Sequence, residues 1–358
     1  MLVSVQYARA VAALLVVYAH LRGFGFFTPL DTGEFGGMGV DIFFVISGFI
    51  MWESSKGQAP ADFALRRLSR IVPAYWAYTT LLILLVLVAP QLTPKIVLDA
   101  PSVIWSYLFI PYTDTRGNTN PLLLQGWTLN YEMYFYVVFG LSLFIRHRLI
   151  QLGSIVLFFV VSALAGLFVE KDIAIVAYYT STMLLEFVFG ILVNIAAKSR
   201  YDGWRLRGGA FLLGIALLLG IGIGDPTAEP RFIMFGLPAA IMLFGLVGLE
   251  TAVRRRPIKP LALIGDSSYS LYLSHPFVLS GVSAVFKLID ARLFPIAGVA
   301  GAGLFGAACV LASVVFAYLS FRFFEKPAGK YLNGLFRGPR SQVPRPALTW
   351  PFRSQEKR

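Results

Sequence analysis

The stretch YARAVAALLVVYAHLRGFGFF, from Tyr7 to Phe27, decides how the rest of the chain is interpreted. Ten residues, nine of them strictly apolar, separate Arg9 from His20, so the segment suits a bilayer except at two ionisable side chains. Over all 358 residues, 57% are hydrophobic and 14% are charged, whereas a soluble domain carries roughly a quarter charged residues. We therefore expect an all-α, polytopic integral membrane helix bundle.

Apolar runs of roughly 17 to 25 residues predict about ten transmembrane helices. The predicted spans are 5–21, 38–53, 73–89, 128–145, 149–168, 174–197, 209–223, 231–249, 261–286 and 295–321. Between these spans, 23 of the 31 lysines and arginines lie on one side and seven on the other, with one inside the first span. The positive-inside rule then predicts that both termini are cytoplasmic. The net charge of +12 is therefore explained by membrane topology, and it does not indicate binding to nucleic acid.

Two parts of the chain are predicted to differ in order. Residues 1–327 are expected to form one transmembrane domain, and residues 328–358 a basic cytoplasmic tail that is disordered and lies against anionic headgroups. The start lacks a basic n-region and a small-residue cleavage site, so the first helix is expected to remain as a span. One cysteine and three histidines, one of them between arginines, predict no disulfide and no metal site.

Ionisable side chains inside a bilayer are costly and are the first candidates for a functional site. Arg9 and His20 share one helix face, with Arg9 nearer the cytoplasm, although a snorkelling arginine and an interfacial histidine are the alternative. The second and fourth spans put Asp41 and Glu132 at a depth similar to that of His20. A carboxylate bonded to one imidazole nitrogen raises the basicity of the other, so either acid is a candidate partner of His20. Asp41 as a helix N-cap is the simpler alternative.

Five further side chains are predicted to line a pocket in the same bundle. In the ninth span, Ser268, Tyr272 and His275 share one helix face, although a structural histidine is at least as plausible at 275. Ser47 in the second span and Tyr136 in the fourth are expected to join them.

A cluster of arginines precedes the third span. Arg66, Arg67 and Arg70 are close enough on a short helical surface to bind phosphates bidentately. Plain positive-inside topology is the alternative explanation for them.

Six motifs in order resemble the acyltransferase-3 family of membrane-bound acyltransferases, which includes O-acetyltransferases of bacterial polysaccharides. They span residues 6–327 and are Arg9-x10-His20, GVDIFFVISGF at 39–49, Arg67-x-x-Arg70, GWTLNYEMYFY at 126–136, SYSLYLSHP at 268–276 and FEKP at 324–327. The opening and the short loops look most like the rhizobial exopolysaccharide acetyltransferases of the succinoglycan type. Asn130 and Tyr131 stand where other members often have different residues.

The resemblance implies an acyl-CoA donor and a carbohydrate hydroxyl as acceptor. We expect acetyl-CoA as the co-substrate, no bound cofactor, and a sugar hydroxyl of an exopolysaccharide or its lipid-linked precursor as the acceptor. It implies a multi-pass protein of the bacterial inner membrane, in which His20 is the catalytic histidine and Arg9 and the Arg67/Arg70 pair serve the donor. Together with the residue patterns, it yields a catalytic set, a donor set and a pocket set. The catalytic set is His20, Asp41 and Glu132. The donor set is Arg9, Arg66, Arg67 and Arg70. The pocket set is Ser47, Tyr136, Ser268, Tyr272 and His275.

Two other functions remain open from the sequence alone. A transporter or flippase of a polysaccharide precursor would use the buried charges as a path, but no internal repeat of the expected kind is visible. A non-catalytic component of a polysaccharide-assembly machinery would need neither Arg9 nor His20.

Overall fold

The computed structural model describes residues 2–31, 35–93, 96–170, 172–198, 203–225, 227–293 and 295–336. Regular structure in these residues is helical. The α-helices are α1 Val3–Leu21, α2 Gly39–Ser54, α3 Pro60–Val88, α4 Ala100–Leu108, α5 Gly126–Ser142, α6 Arg148–Ala165, α7 Ala174–Tyr179, α8 Leu184–Ala196, α9 Trp204–Gly224, α10 Leu237–Gly248, α11 Glu250–Arg255, α12 Lys259–Asp266, α13 Ser268–Arg292, α14 Gly298–Ser320 and α15 Lys326–Phe336. Short 3-10 helices at Gly25–Leu30 and Pro90–Leu92 and π-helical turns at Phe232–Gly236 and Phe321–Glu325 connect or extend them.

Seven helices in the described ranges are long and apolar enough to cross a membrane. They are Val3–Leu21, Pro60–Val88, Arg148–Ala165, Ala174–Ala196, Arg205–Gly224, Ser268–Arg292 and Gly298–Leu335. The other three predicted spans correspond to shorter helices, namely α2 with 16 residues, α5 with 17 and the apolar Phe232–Gly248. The chain is therefore an all-helical, multi-pass membrane protein.

The helix boundaries in the structure differ most from the predicted ones at two charged segments, before the third span and after the last one. Helix α3 begins at Pro60 rather than at residue 73, because an amphipathic segment continues the apolar one and Pro73 lies inside the helix. Arg66, Arg67 and Arg70 are therefore on the same continuous helix as the third predicted span. Helix α15 covers the first residues of the tail that was predicted to be disordered, whereas 337–358 lie outside the described residues.

Helix α1 lies at the centre of the bundle. In the most apolar stretch of this helix 61% of the residues are buried, whereas the corresponding share is 22–39% in the other candidate membrane-spanning helices. It packs against α2, α12, α13 and α14. Most faces of α1 are therefore in contact with protein, which allows it to carry Arg9 and His20 inside the bilayer.

Glycines bring α2 into backbone contact with its neighbours, as small residues do between membrane helices. A Cβ atom at Gly48 would lie 1.9 Å from the carbonyl oxygen of Phe187 on α8, and one at Gly39 would lie 2.4 Å from that of Ala12 on α1. These contacts fix the rotation of α2 about its axis. Asp41 and Ser47, six residues apart, consequently point to different sides of α2.

Candidate active site

A cavity of about 90 Å³ lies between α1, α2, α3, α5 and α13. Its wall is mainly apolar and aromatic, with a few polar and charged side chains, which is the usual composition of a ligand site. The cavity brings together eight of the residues predicted from the sequence, namely Arg9, Ser47, Arg67, Arg70, Glu132, Tyr136, Ser268 and Tyr272.

Three arginines of the described chain line this cavity. Arg9 is buried on α1, where its Nη1 donates to Gln6 Oε1 at 3.1 Å, and the Gln6 amide in turn donates to Asp266. Arg67 and Arg70 approach from α3, and Arg70 is exposed. The positive charge therefore extends from an exposed entrance at Arg70 to a buried end at Arg9.

Arg66 does not belong to this wall in the described structure, although the sequence suggested that it would. Successive residues of an α-helix are about 100° apart. Arg66 is about 40° from Arg70 around the helix axis, on the side away from Arg67, and it is at the edge of this face without lining the cavity. The role of Arg66 in donor binding stays a prediction.

Glu132 is the carboxylate of the cavity wall. It accepts a hydrogen bond from Ser47 Oγ at 3.0 Å and another from the Tyr136 hydroxyl, which lies one turn further along α5. It also interacts electrostatically with Arg67 and Arg9. Glu132 therefore balances the arginines, and no hydrogen bond joins it to a histidine in the part of the chain that the structure describes.

Hydroxyl groups form the end of the cavity that faces α13. The Tyr272 hydroxyl donates to the carbonyl oxygen of Gln125 at 3.1 Å and lies 2.7 Å from Thr128 Oγ1. Ser268 Oγ is buried and has no hydrogen-bond partner among the described residues. A buried hydroxyl without a partner is costly unless a ligand satisfies it, so Ser268 is available to a bound molecule.

His20 lies beside His275 and outside the cavity wall of the described structure. The two rings meet edge to face, with 4.7 Å between centroids and 70° between planes. Nδ1 of His20 lies 2.8 Å from the carbonyl oxygen of Val16, which can only accept, so the neutral ring carries its proton on Nδ1 and a lone pair on Nε2. The Tyr272 ring is 6.2 Å from that of His275, so the histidine pair adjoins the cavity through Tyr272.

Asp41 is fully buried and binds Arg231, not His20. Arg231 Nη2 lies 2.5 Å from Asp41 Oδ2, Nε lies 3.1 Å from Oδ1, and Nη2 also donates to Gly37 O at 3.2 Å. Glu186, also fully buried, interacts electrostatically with both. Equal depth on two helices does not make two side chains face each other, and this arginine comes from a distant part of the sequence.

A family model described as an acyltransferase domain matches residues 2–321, which is most of the chain. The chain belongs to the acyltransferase-3 family. It is a membrane-bound O-acyltransferase, and its resemblance to this family is confirmed.

Three curated relatives of this acyltransferase illustrate the family. The exopolysaccharide production protein ExoZ of Rhizobium meliloti is 37% identical over 254 residues, covering 69% of this chain and 78% of ExoZ. The peptidoglycan O-acetyltransferase OatA of Listeria monocytogenes is 24% identical over 363 residues, covering 91% of this chain but only 56% of OatA. The acyltransferase MdmB of Streptomyces mycarofaciens is 24% identical over 304 residues, covering 75% of this chain and 76% of MdmB. No solved structure matches the chain.

A further buried acid lies near the cavity of the acyltransferase and was not among the predicted site residues. Glu325, in the FEKP motif, is 9% exposed, accepts a hydrogen bond from Ser270 Oγ at 2.6 Å and interacts electrostatically with Arg70 and Arg9. Its charged neighbours Arg322 and Lys326 are exposed. The signal was present, because an acid that follows the apolar run of α14 enters the bundle at the inner end of the helix.

Proposed function

We propose that this acyltransferase moves an acetyl group from acetyl-CoA to a sugar hydroxyl of an exopolysaccharide or its lipid-linked precursor. The observation that supports this most directly is the cavity, in which three arginines approach a wall of hydroxyl groups that adjoins a histidine pair. Anionic donors need the arginines, and acyl transfer to a hydroxyl needs a base. The likeness to ExoZ supports an exopolysaccharide as the acceptor.

The donor is proposed to arrive from the cytoplasm. In the topology that the charge distribution predicts, the chain crosses the bacterial inner membrane ten times and both termini are cytoplasmic. Arg70 would then stand at the cytoplasmic mouth of the cavity. Together with Arg67 it would hold the phosphates of CoA, because guanidinium groups bind phosphate bidentately. The domain 1–327 would carry this activity, and the basic tail 328–358 would lie on the inner leaflet.

The acyl end of the donor would run inward past Arg9. Its thioester carbonyl would meet the hydroxyl groups of Tyr272 and Ser268, which are placed to stabilise the negative charge that develops on the carbonyl oxygen. The side chains of Glu132 and Glu325 would offset the positive charge of the arginines in the absence of the donor.

His20 is proposed to supply the base. Nε2, which keeps its lone pair, would remove the proton from the sugar hydroxyl while that oxygen attacks the thioester carbonyl. The bond to sulfur then breaks, and the CoA thiolate takes up the proton. An alternative route forms an acetyl-histidine on the same nitrogen first. The two routes differ in whether label from acetyl-CoA stays on the protein when the acceptor is omitted.

The test is transfer of labelled acetyl from acetyl-CoA to a lipid-linked glycan by the purified protein in nanodiscs. His20→Ala should abolish transfer while the protein still inserts and accumulates. His147→Ala is the matched control, since this histidine is exposed between α5 and α6. Transfer by the His20→Ala protein at a rate close to that of the unaltered protein would refute the assignment, and transport of the glycan without any donor would favour a flippase.

A further inference from the structure

His275 is a buried imidazole to which the proposed mechanism gives no role. It is 0% exposed, on α13, one residue before Pro276. Its Nδ1 lies 3.2 Å from the carbonyl oxygen of Leu271, and its Nε2 is buried without a hydrogen-bond partner among the residues described. A buried polar atom without a partner costs free energy, so its presence calls for an explanation such as a catalytic role.

Both histidines of the pair are held in the same tautomer. Because each Nδ1 faces a backbone carbonyl oxygen, each neutral ring carries its proton there and presents a lone pair at Nε2. Their rings are in edge-to-face contact at 4.7 Å. A proton that arrives on His20 therefore meets a neutral ring with an unused lone pair.

No carboxylate hydrogen-bonds to either ring in the described residues. Asp41 is engaged by Arg231, and Glu132 by Ser47 and Tyr136. The imidazolium that a general base becomes must be stabilised by some neighbour, and a carboxylate is the usual one. Besides the carbonyl oxygen of Val16 at Nδ1, His275 is a neighbour of the His20 ring that offers an unused lone pair.

We propose that His275 is a positioning residue for His20, and that its lone pair at Nε2 stabilises the imidazolium formed when His20 takes a proton. The inference rests on the proposed role of His20 as base. In the step concerned, the sugar O–H proton moves to Nε2 of His20, the C–O bond forms, the C–S bond breaks, and the proton leaves with the thiol of CoA. His275 stays neutral throughout and exchanges no proton.

The first test compares two variants of similar size. His275→Phe keeps an aromatic ring without a lone pair, whereas His275→Gln keeps a polar acceptor close to the position of Nε2. We expect His275→Phe to lower kcat roughly tenfold to a hundredfold with KM for acetyl-CoA unchanged, and His275→Gln to recover most of that loss. His147→Gln should leave both constants unchanged. Equal kcat in the Phe variant and the unaltered protein, or equal losses in Phe and Gln, would overturn the proposal.

The second test does not depend on acetyl transfer. The chain has only three histidines, so ¹⁵N-histidine NMR in nanodiscs gives a spectrum that single variants can assign. Besides each other, the charged or titratable groups of the described chain that face the pair are Tyr272, beside His275, and Arg22, near His20. We expect Nε2 of His275 to resonate as an unprotonated nitrogen and to shift as His20 titrates, and to lose that shift in His20→Gln.

These two readouts separate the two hypotheses. If no glycan is acetylated but the His275 resonance shifts as His20 titrates, the interaction between the two histidines is supported and the proposed function is refuted. If acetyl transfer is normal but the resonance is unaffected by His20→Gln, the function stands and the role of His275 is overturned. If His275→Phe does not accumulate, the Gln variant and the spectrum of the unaltered protein still decide.

Discussion

Replacement of Arg231 by methionine should destabilise the bundle strongly. The arginine makes two contacts with Asp41, at 2.5 and 3.1 Å, and one with the carbonyl oxygen of Gly37, at 3.2 Å. Asp41 is 0% exposed, while the Arg231 side chain is 19% exposed. Methionine fills a similar length of space but leaves the buried carboxylate, with Glu186 beside it, without a cation.

The expected magnitude follows from the burial of Asp41. Removal of one partner of a buried ion pair costs about 3–5 kcal/mol, because the remaining charge is left desolvated. At 1.36 kcal/mol per factor of ten, the ratio of folded to unfolded protein should fall by roughly two to nearly four orders of magnitude. Replacement of both partners should cost much less, since the carboxylate that Arg231 binds directly is then removed as well.

The assay is unfolding in mixed micelles, with the free energy of unfolding extracted for each variant. Arg231→Met should lose the amount above, and Arg231→Met combined with Asp41→Asn should recover most of it. Arg292→Met, at an exposed arginine near the end of α13, controls for loss of a positive charge. A single variant as stable as the unaltered protein, or a double variant less stable than the single one, would refute the reasoning.

Two further predictions follow from the cavity and from helix packing. Arg70→Ala should raise KM for acetyl-CoA roughly tenfold or more with kcat little changed, in steady-state kinetics, while Arg66→Ala, off the cavity wall, should leave KM unchanged; equal effects of the two would make the cluster purely topological. Gly48→Val should lower stability in the same unfolding assay by about 1–3 kcal/mol, because its Cβ would collide with the backbone of α8. Gly281→Val, where an added Cβ would meet nothing within 4 Å, is the control, and a loss as large as that of Gly48→Val would contradict the packing argument.

Most of the helices could be predicted because hydropathy responds to length and apolar content. The second predicted span, 38–53, agrees with α2 within a residue at each end, and the fifth, 149–168, begins one residue after α6 begins. The same measure is insensitive to helices that continue into charged segments. It therefore missed the start of α3 at Pro60 and the whole of α15, where the hydrophobic residues follow a helical period but are diluted by charge.

The composition of the cavity could also be predicted, but the partner of His20 could not. A sequence gives the depth of a residue in the membrane from its distance to the end of a span. His20, Asp41 and Glu132 have similar predicted depths, and this similarity suggested that they form one site. It does not give the rotation of each helix about its axis. For α2 that rotation is set by the contacts of Gly39 and Gly48 with other backbones, and it turns Asp41 away from His20.

The separation that results has a chemical consequence. The charged groups that suit a polyanionic donor, Arg67, Arg70 and Arg9 with Glu132, lie around the cavity, whereas His20 sits against a second neutral ring behind Tyr272. The protonation of a histidine bonded to a carboxylate among three arginines would depend on the charge of the bound donor. In the proposed mechanism, a base set apart from these charges is less affected by the binding of an anionic donor than a base among the arginines would be.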